Sequence, residues 1–165
     1  MPGASKFSGI AAEEQDIKET NMYTSLNRRA ASAYAQVGVQ SSVDGASPHQ
    51  LIQLLFDALE KALNAAKGAL QRGDIGEKGV QIGKAVRILE EGLKASVNPD
   101  EGGELAQNLI SVYDYSITQL TLANLRNDAA LLQSAQDVLA PIANGWRDIA
   151  NTPALPGPRN GVDID

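Results

Sequence analysis

Ser47-Pro48-His49-Gln50-Leu51-Ile52-Gln53-Leu54-Leu55-Phe56-Asp57-Ala58-Leu59-Glu60-Lys61-Ala62-Leu63 is a helix with its own start signal. Ser47 suits the N-cap, Pro48 the first helical position, and Gln50 closes a capping box three residues after the serine. The apolar residues then recur at spacings of three and four. Leu51, Leu54, Leu55, Ala58, Ala62, Ala65 and Ala69 form one stripe, and Ile52, Phe56, Leu59, Leu63, Ala66 and Leu70 form a second beside it. Together they span roughly 200° of the helix, against the stripe of about 100° that an ordinary surface helix carries. Two readings fit that width. Either neighbours bury this helix on both flanks, or part of the arc is a groove that a partner segment fills.

Outward from this helix the same grammar repeats. The first helix runs to about Gln71, where Gly73 suits a C-terminal cap. The second opens at Asp74, with Glu77 three residues on, and runs to about Ser96. Asn98-Pro99 breaks it, the third starts near Asn98 or Gly103 and runs to about Asn124, and Asp128 caps a fourth that ends near Ile149. Each is about 30 to 37 Å long at 1.5 Å per residue. Connections this short place consecutive helices antiparallel, so the chain predicts an all-α fold, an antiparallel up-down-up-down four-helix bundle over residues 47–150. Residues 1–46 are small and polar with weak periodicity, and read as an N-terminal extension and mobile arm. They form either one arm or a leader of residues 1–21 ahead of a start at Met22. Pro153, Pro156 and Pro158 with Gly157 and Gly161 make 151–165 a loose, disordered C-terminal tail.

The predicted core follows the stripes: Ile75, Ile82, Val86, Leu89 and Leu93 on the second helix, Leu105, Leu109, Val112, Leu120 and Ala123 on the third, and Leu132, Ala135, Leu139, Ile142, Trp146 and Ile149 on the fourth. Gly76, Gly79 and Gly83 beside the second stripe read as tight helix packing, with close approach of an arm as the alternative. On the third helix Asn108, Tyr115 and Leu122 recur every seven residues, with Ser111 and Thr118 between them. That line reads either as a contact strip or as scattered surface residues.

Composition narrows the function. The 165 residues carry 14 Lys+Arg against 20 Asp+Glu, a balance of −6, which disfavours phosphate-led nucleic-acid binding and an anionic membrane surface. Apolar residues make up 43% and aromatics only 4%, so Ala and Leu must fill the core. No cysteine is present, which removes disulfides, thiolate zinc sites and cysteine nucleophiles. No stretch is apolar enough to span a bilayer, and the first residues do not read as a signal peptide. No P-loop, dinucleotide fingerprint, HExxH or Glu-x-x-His pair occurs, so no catalytic residue, cofactor or metal is expected. His49, the single histidine, reads as a helix-start residue, with a phosphotransfer bundle as the alternative.

Several pieces in order resemble the flagellin secretion chaperone family FliS, from about Met22 to Ile149. The Tyr-bearing arm from Met22-Tyr23 to Tyr34 is similar to the family's N-terminal segment. Ser47-Pro48-His49-Gln50-Leu51 is similar to its Ser-Pro-x-x-Leu helix opening, with Phe56 where Tyr is expected. Gly102-Gly103-Glu104-Leu105-Ala106-Gln107-Asn108-Leu109 followed by Tyr113-Asp114-Tyr115 is similar to its third-helix signature, and Ala123-Asn124 and Trp146 also fit. Residues 1–21 and the tail match nothing in the family. The resemblance implies a cytoplasmic export chaperone without catalysis or cofactor. Such a protein binds the disordered C-terminal segment of flagellin, prevents premature polymerisation and delivers it to the flagellar type III export apparatus, whose gate is a further partner. On this reading the client contacts fall on Tyr23, Leu26 and Tyr34 of the arm and on Asn108, Ser111, Tyr115 and Leu122 of the third helix, and the arm rests on the bundle until client displaces it. The residues also leave open a helical adaptor for another partner.

Overall fold

The computed structural model describes Arg28, Arg29, residues 31–33 and residues 46–151. Among them the fold is all-helical. Helix α1 spans Pro48–Gln71, and its capping box forms as the sequence requires. Gln50 N donates to Ser47 Oγ at 3.2 Å, and Ser47 N donates to Gln50 Oε1 at 2.8 Å. Gly73, at φ 71°, turns the chain into α2, Ile75–Arg87, which Asp74 caps through Glu77 N.

The second helix then changes character. Ile88–Lys94 is π-helical and holds Ile88, Leu89, Gly92 and Leu93 buried. The wider turn admits an extra residue, so neighbouring pairs both face inward where an α-helix would bury one of each. The single-stripe reading of this helix missed that widening.

Helix α3, Pro99–Arg126, starts twice. Asn98 caps one turn, then Gly103 breaks it with φ 57° and ψ −137°, and the helix resumes. Only glycine occupies that backbone region at low cost. Asn127 closes α3 in the left-handed conformation, and Asp128 caps α4, Ala129–Asn151, through Ala130 N and Leu131 N.

Neighbours in space follow neighbours in sequence: α1 lies beside α2 and α4, and α3 beside α2 and α4. Helices α1 and α4 run in opposite directions, since His49 meets Trp146 at one end while Asn64 meets Gln136 and Lys67 meets Gln133 further along. Helices α2 and α3 do the same, through Lys78 with Asn124 and Lys94 with Asp114. The width of the α1 stripe is explained by cover on both flanks: Leu51, Ile52, Leu55, Phe56, Ala58, Leu59, Ala62, Leu63, Ala66 and Ala69 are all buried. This first helix is the central element of the core, joined there by Ile82, Leu89, Leu93, Leu120, Leu132 and Leu139.

Three predicted core positions are not core. Ile75 is 48% exposed, Leu105 69% and Ile149 65%. Each lies on a core stripe near a helix end, where its own helix outruns the partner that would cover it. Of the α2 glycines, Gly79 is half-buried beside Asn124, but Gly76 and Gly83 do not serve tight packing. Gly76 and Gly83 are exposed, and a Cβ at Gly83 would meet nothing within 4 Å. Val80 and Arg87 share their outward side. Nothing in the structure explains Gly83.

Candidate functional site

Leu105 and Trp146 mark the end of the molecule where the core opens. An apolar groove of about 410 Å³ lies there between four elements. Ile52 of α1 and Val97 of the α2–α3 connection form its floor and one side. Leu105, Ala106, Leu109 and Tyr113 of α3 form a second, and Trp146 of α4 closes the third. The groove exists because of local sequence. Pro99 and the Gly102-Gly103 pair fold the first turn of α3 across the opening, so Asn98, Glu101 and Gly102 stand at its rim. Glycine is needed at 102 as well: a Cβ there would sit 2.5 Å from the Ala106 Cβ.

Polar groups at the rim are few. Arg29 lines the groove and donates from Nη1 to the Val97 carbonyl oxygen at 3.4 Å. Ala33, one helical turn on, is buried. Arg29 therefore lies against the connection at the groove, while Ser32 and Ala33 share a separate hollow with Glu91 and Ala95. Tyr113 is buried, and burial pushes its phenol well above the usual range. A site of this kind can take apolar side chains of an extended or helical segment.

The predicted contact residues fall elsewhere. Asn108, Ser111, Tyr115 and Leu122 do share one flank of α3, on the side toward α4. Asn108 and Ser111 are exposed, Leu122 is half-buried, and Tyr115 Oη lies 3.1 Å from Ser134 Oγ of α4. None of the four lines the groove. Tyr23, Leu26 and Tyr34 lie outside the described residues. Of the groove residues, Ile52, Leu105, Leu109 and Trp146 were legible as core, while Arg29, Val97 and Asn98 carried no such signal. For Leu105, Leu109 and Trp146 the signal was that the apolar stripes of α3 and α4 continue to the very helix ends.

His49 departs from its reading as a simple helix-start residue. Its ring packs on Trp146 with centroids 4.6 Å apart, and its Nε2 lies 3.1 Å from the Trp146 carbonyl oxygen. That nitrogen is engaged, which disfavours an imidazole presented for phosphotransfer.

The fold and the groove define an all-helical protein with an open apolar groove at one end. Residues 30–153 match the family described as Flagellar protein FliS. The chain is 46% identical over 129 residues to the flagellar secretion chaperone FliS of Salmonella typhimurium, covering 78% of this chain and 93% of that protein. It is 40% identical over 123 residues to the protein of the same name from Escherichia coli, 74% of this chain and 90% of that one. With the flagellar secretion chaperone FliSB of Pseudomonas aeruginosa the identity is 41% over 123 residues, 74% and 97%. The chain belongs to the FliS family. Among the described residues no helix is long and apolar enough to cross a membrane.

Proposed function

We propose that this protein is a cytoplasmic flagellar secretion chaperone without catalysis. It binds the disordered C-terminal segment of newly made flagellin, keeps that segment from polymerising and hands it to the flagellar type III export apparatus. The observation that carries the reading is the open groove from Ile52 to Trp146 in a chain of the FliS family. A flagellin segment with helical apolar faces is aggregation-prone when free, and a groove of this composition covers such faces. The client orders as it binds, so part of the contact free energy is spent on lost chain entropy and release stays possible. The scaffold for this is an up-down-up-down bundle over 47–150, preceded in the chain by the arm 1–46 and followed by the tail 151–165. The seating of Arg29 in the groove lining supports an arm that shares the site with the client. The α3 flank of Asn108, Ser111, Tyr115 and Leu122 offers a second contact strip along the same client.

Calorimetric titration with a flagellin C-terminal peptide of about forty residues tests the reading, through a large negative heat-capacity change from apolar burial and coupled folding. A charge at Leu109, as Leu109→Asp, is expected to weaken binding at least ten-fold, while Tyr115→Ala has a smaller effect. Proteolysis of the arm is expected to quicken when client is present. Absence of heat at several temperatures, with no co-elution, would leave an adaptor for another partner.

A further inference from the structure

We propose that His49 is a positioning residue of the groove: it holds the indole of Trp146 in place as the groove's α4 wall. The proposal rests on the reading of the groove as the client site. Trp146 lines the groove and His49 does not. The imidazole touches this one residue in two ways. The Trp146 carbonyl oxygen can only accept, so Nε2 must carry the hydrogen and donate across 3.1 Å. The ring itself packs on the indole at 4.6 Å and 45°. The first contact fixes where the Trp146 backbone sits, and the second fixes the side-chain orientation.

Both contacts are needed where they occur. Trp146 is near the end of α4, where helices fray and a large side chain would otherwise sample several rotamers. His49 stands on firmer ground. It lies inside the capping box, between the Pro48 ring and the reciprocal bonds of Ser47 and Gln50. The Ser-Pro-His-Gln opening of α1 is therefore more than a helix start. Its cap rigidifies the turn that carries the imidazole, and the imidazole sets the far helix. A preformed wall lowers the ordering cost of binding, and a loose one raises it.

The chain has a single tryptophan and a single histidine, so the indole emission reports this contact directly. In the client-free full-length protein His49→Ala is expected to shift Trp146 emission to longer wavelength. The same variant is expected to bind the flagellin C-terminal peptide about five-fold more weakly, the worth of one hydrogen bond. His49→Gln keeps a donor at the reach of Nε2, and His49→Phe keeps only a ring; each is expected to fall between wild type and His49→Ala. These two carry the test if His49→Ala does not fold. Arg147→Gln is the control, since it removes ion pairs to Asp57 and Glu60 from the same helix end and leaves His49 alone. It is expected to leave emission and affinity at wild-type values. Wild-type emission and affinity in the His49 variants would overturn the proposal, as would an Arg147→Gln protein that reproduces His49→Ala. If Leu109→Asp binds client normally, the groove reading fails instead, and the emission of the client-free His49 variants still decides whether His49 holds the indole.

Discussion

Lys78 is 3% exposed, which a lysine tolerates only with its ammonium group bonded. Its Nζ donates to the carbonyl oxygen of Asn124 at 2.9 Å and to the Asn124 side-chain oxygen at 2.7 Å. The charge thereby rests on the last turn of α3, where carbonyls lack helical partners and the dipole favours a cation. Lys78→Met is expected to lower stability by about 1–3 kcal/mol, read from urea midpoints at constant slope. Two other groups make stability fall on the alkaline side. Burial holds the Tyr113 phenol above its usual value. Lys94 is held above its own mainly by its hydrogen bond to Asp114, against a desolvation effect that lowers it, with Glu90 adding to the rise. In both, the folded value exceeds the unfolded one. Their contributions are then complete below about pH 10 and are lost as pH rises through the folded values. Denaturation series at rising pH are expected to show this loss, with a shallower fall in Tyr113→Phe. One of the chain's four tyrosines should ionise only as the protein unfolds.

At the scale of elements, Gly103 sets the shape of the site. Its backbone conformation lets the Asn98-capped turn fold away from the axis of α3, and that turn supplies the groove's rim. Gly103→Ala is expected to cost about 1–3 kcal/mol in thermal or chemical unfolding. It should also weaken client binding, because the strained turn would relax out of place. The π-helical Ile88–Lys94 lies outside the groove lining and serves the core. It buries two residues per turn against α1 and α3, and Lys94 bonds across to Asp114 at 2.7 Å. Helix α3 adds a softer feature: Ser111, Ser116, Thr118 and Thr121 each donate to the carbonyl four residues back. Such bonds bend helices slightly, and Pro141 inside α4 removes one backbone donor there.

At the scale of the molecule, α1 lies between α2 and α4, so the wide apolar arc is spent on the core. Leu105 and Ile149 stand exposed at the open end of the bundle, and Ile75, Val80 and Leu125 elsewhere on it. Leu105→Ser is expected to leave the unfolding midpoint within about 0.5 kcal/mol of wild type, as for any exposed side chain, while lowering client affinity. Paired urea and titration measurements on one variant would separate stability from binding in this way.

The helices were legible because capping boxes, prolines, glycines and periods of three and four are local signals. Ser47, Asp74, Asn98 and Asp128 marked the starts, and each caps as its sequence says. Site residues were less legible. The strip of Asn108, Ser111, Tyr115 and Leu122 is a true flank, yet the groove is made of residues that periodicity assigns to the interior. Periodicity tells which face of a helix is apolar, and says nothing of where a partner helix stops. Leu105 and Ile149 carry the same pattern as Leu120 and Leu139 and are exposed because none of the described elements covers them. Local signals sufficed for the capped starts at Ser47, Asp74 and Asp128, the all-helical class and most of the inward faces. The tertiary structure alone decided which end stays open, the contact of His49 with Trp146 and the burial of Lys78 on Asn124. These depend on the lengths and directions of helices far apart in the chain, and cover at a given position is set by the neighbours rather than by the residue.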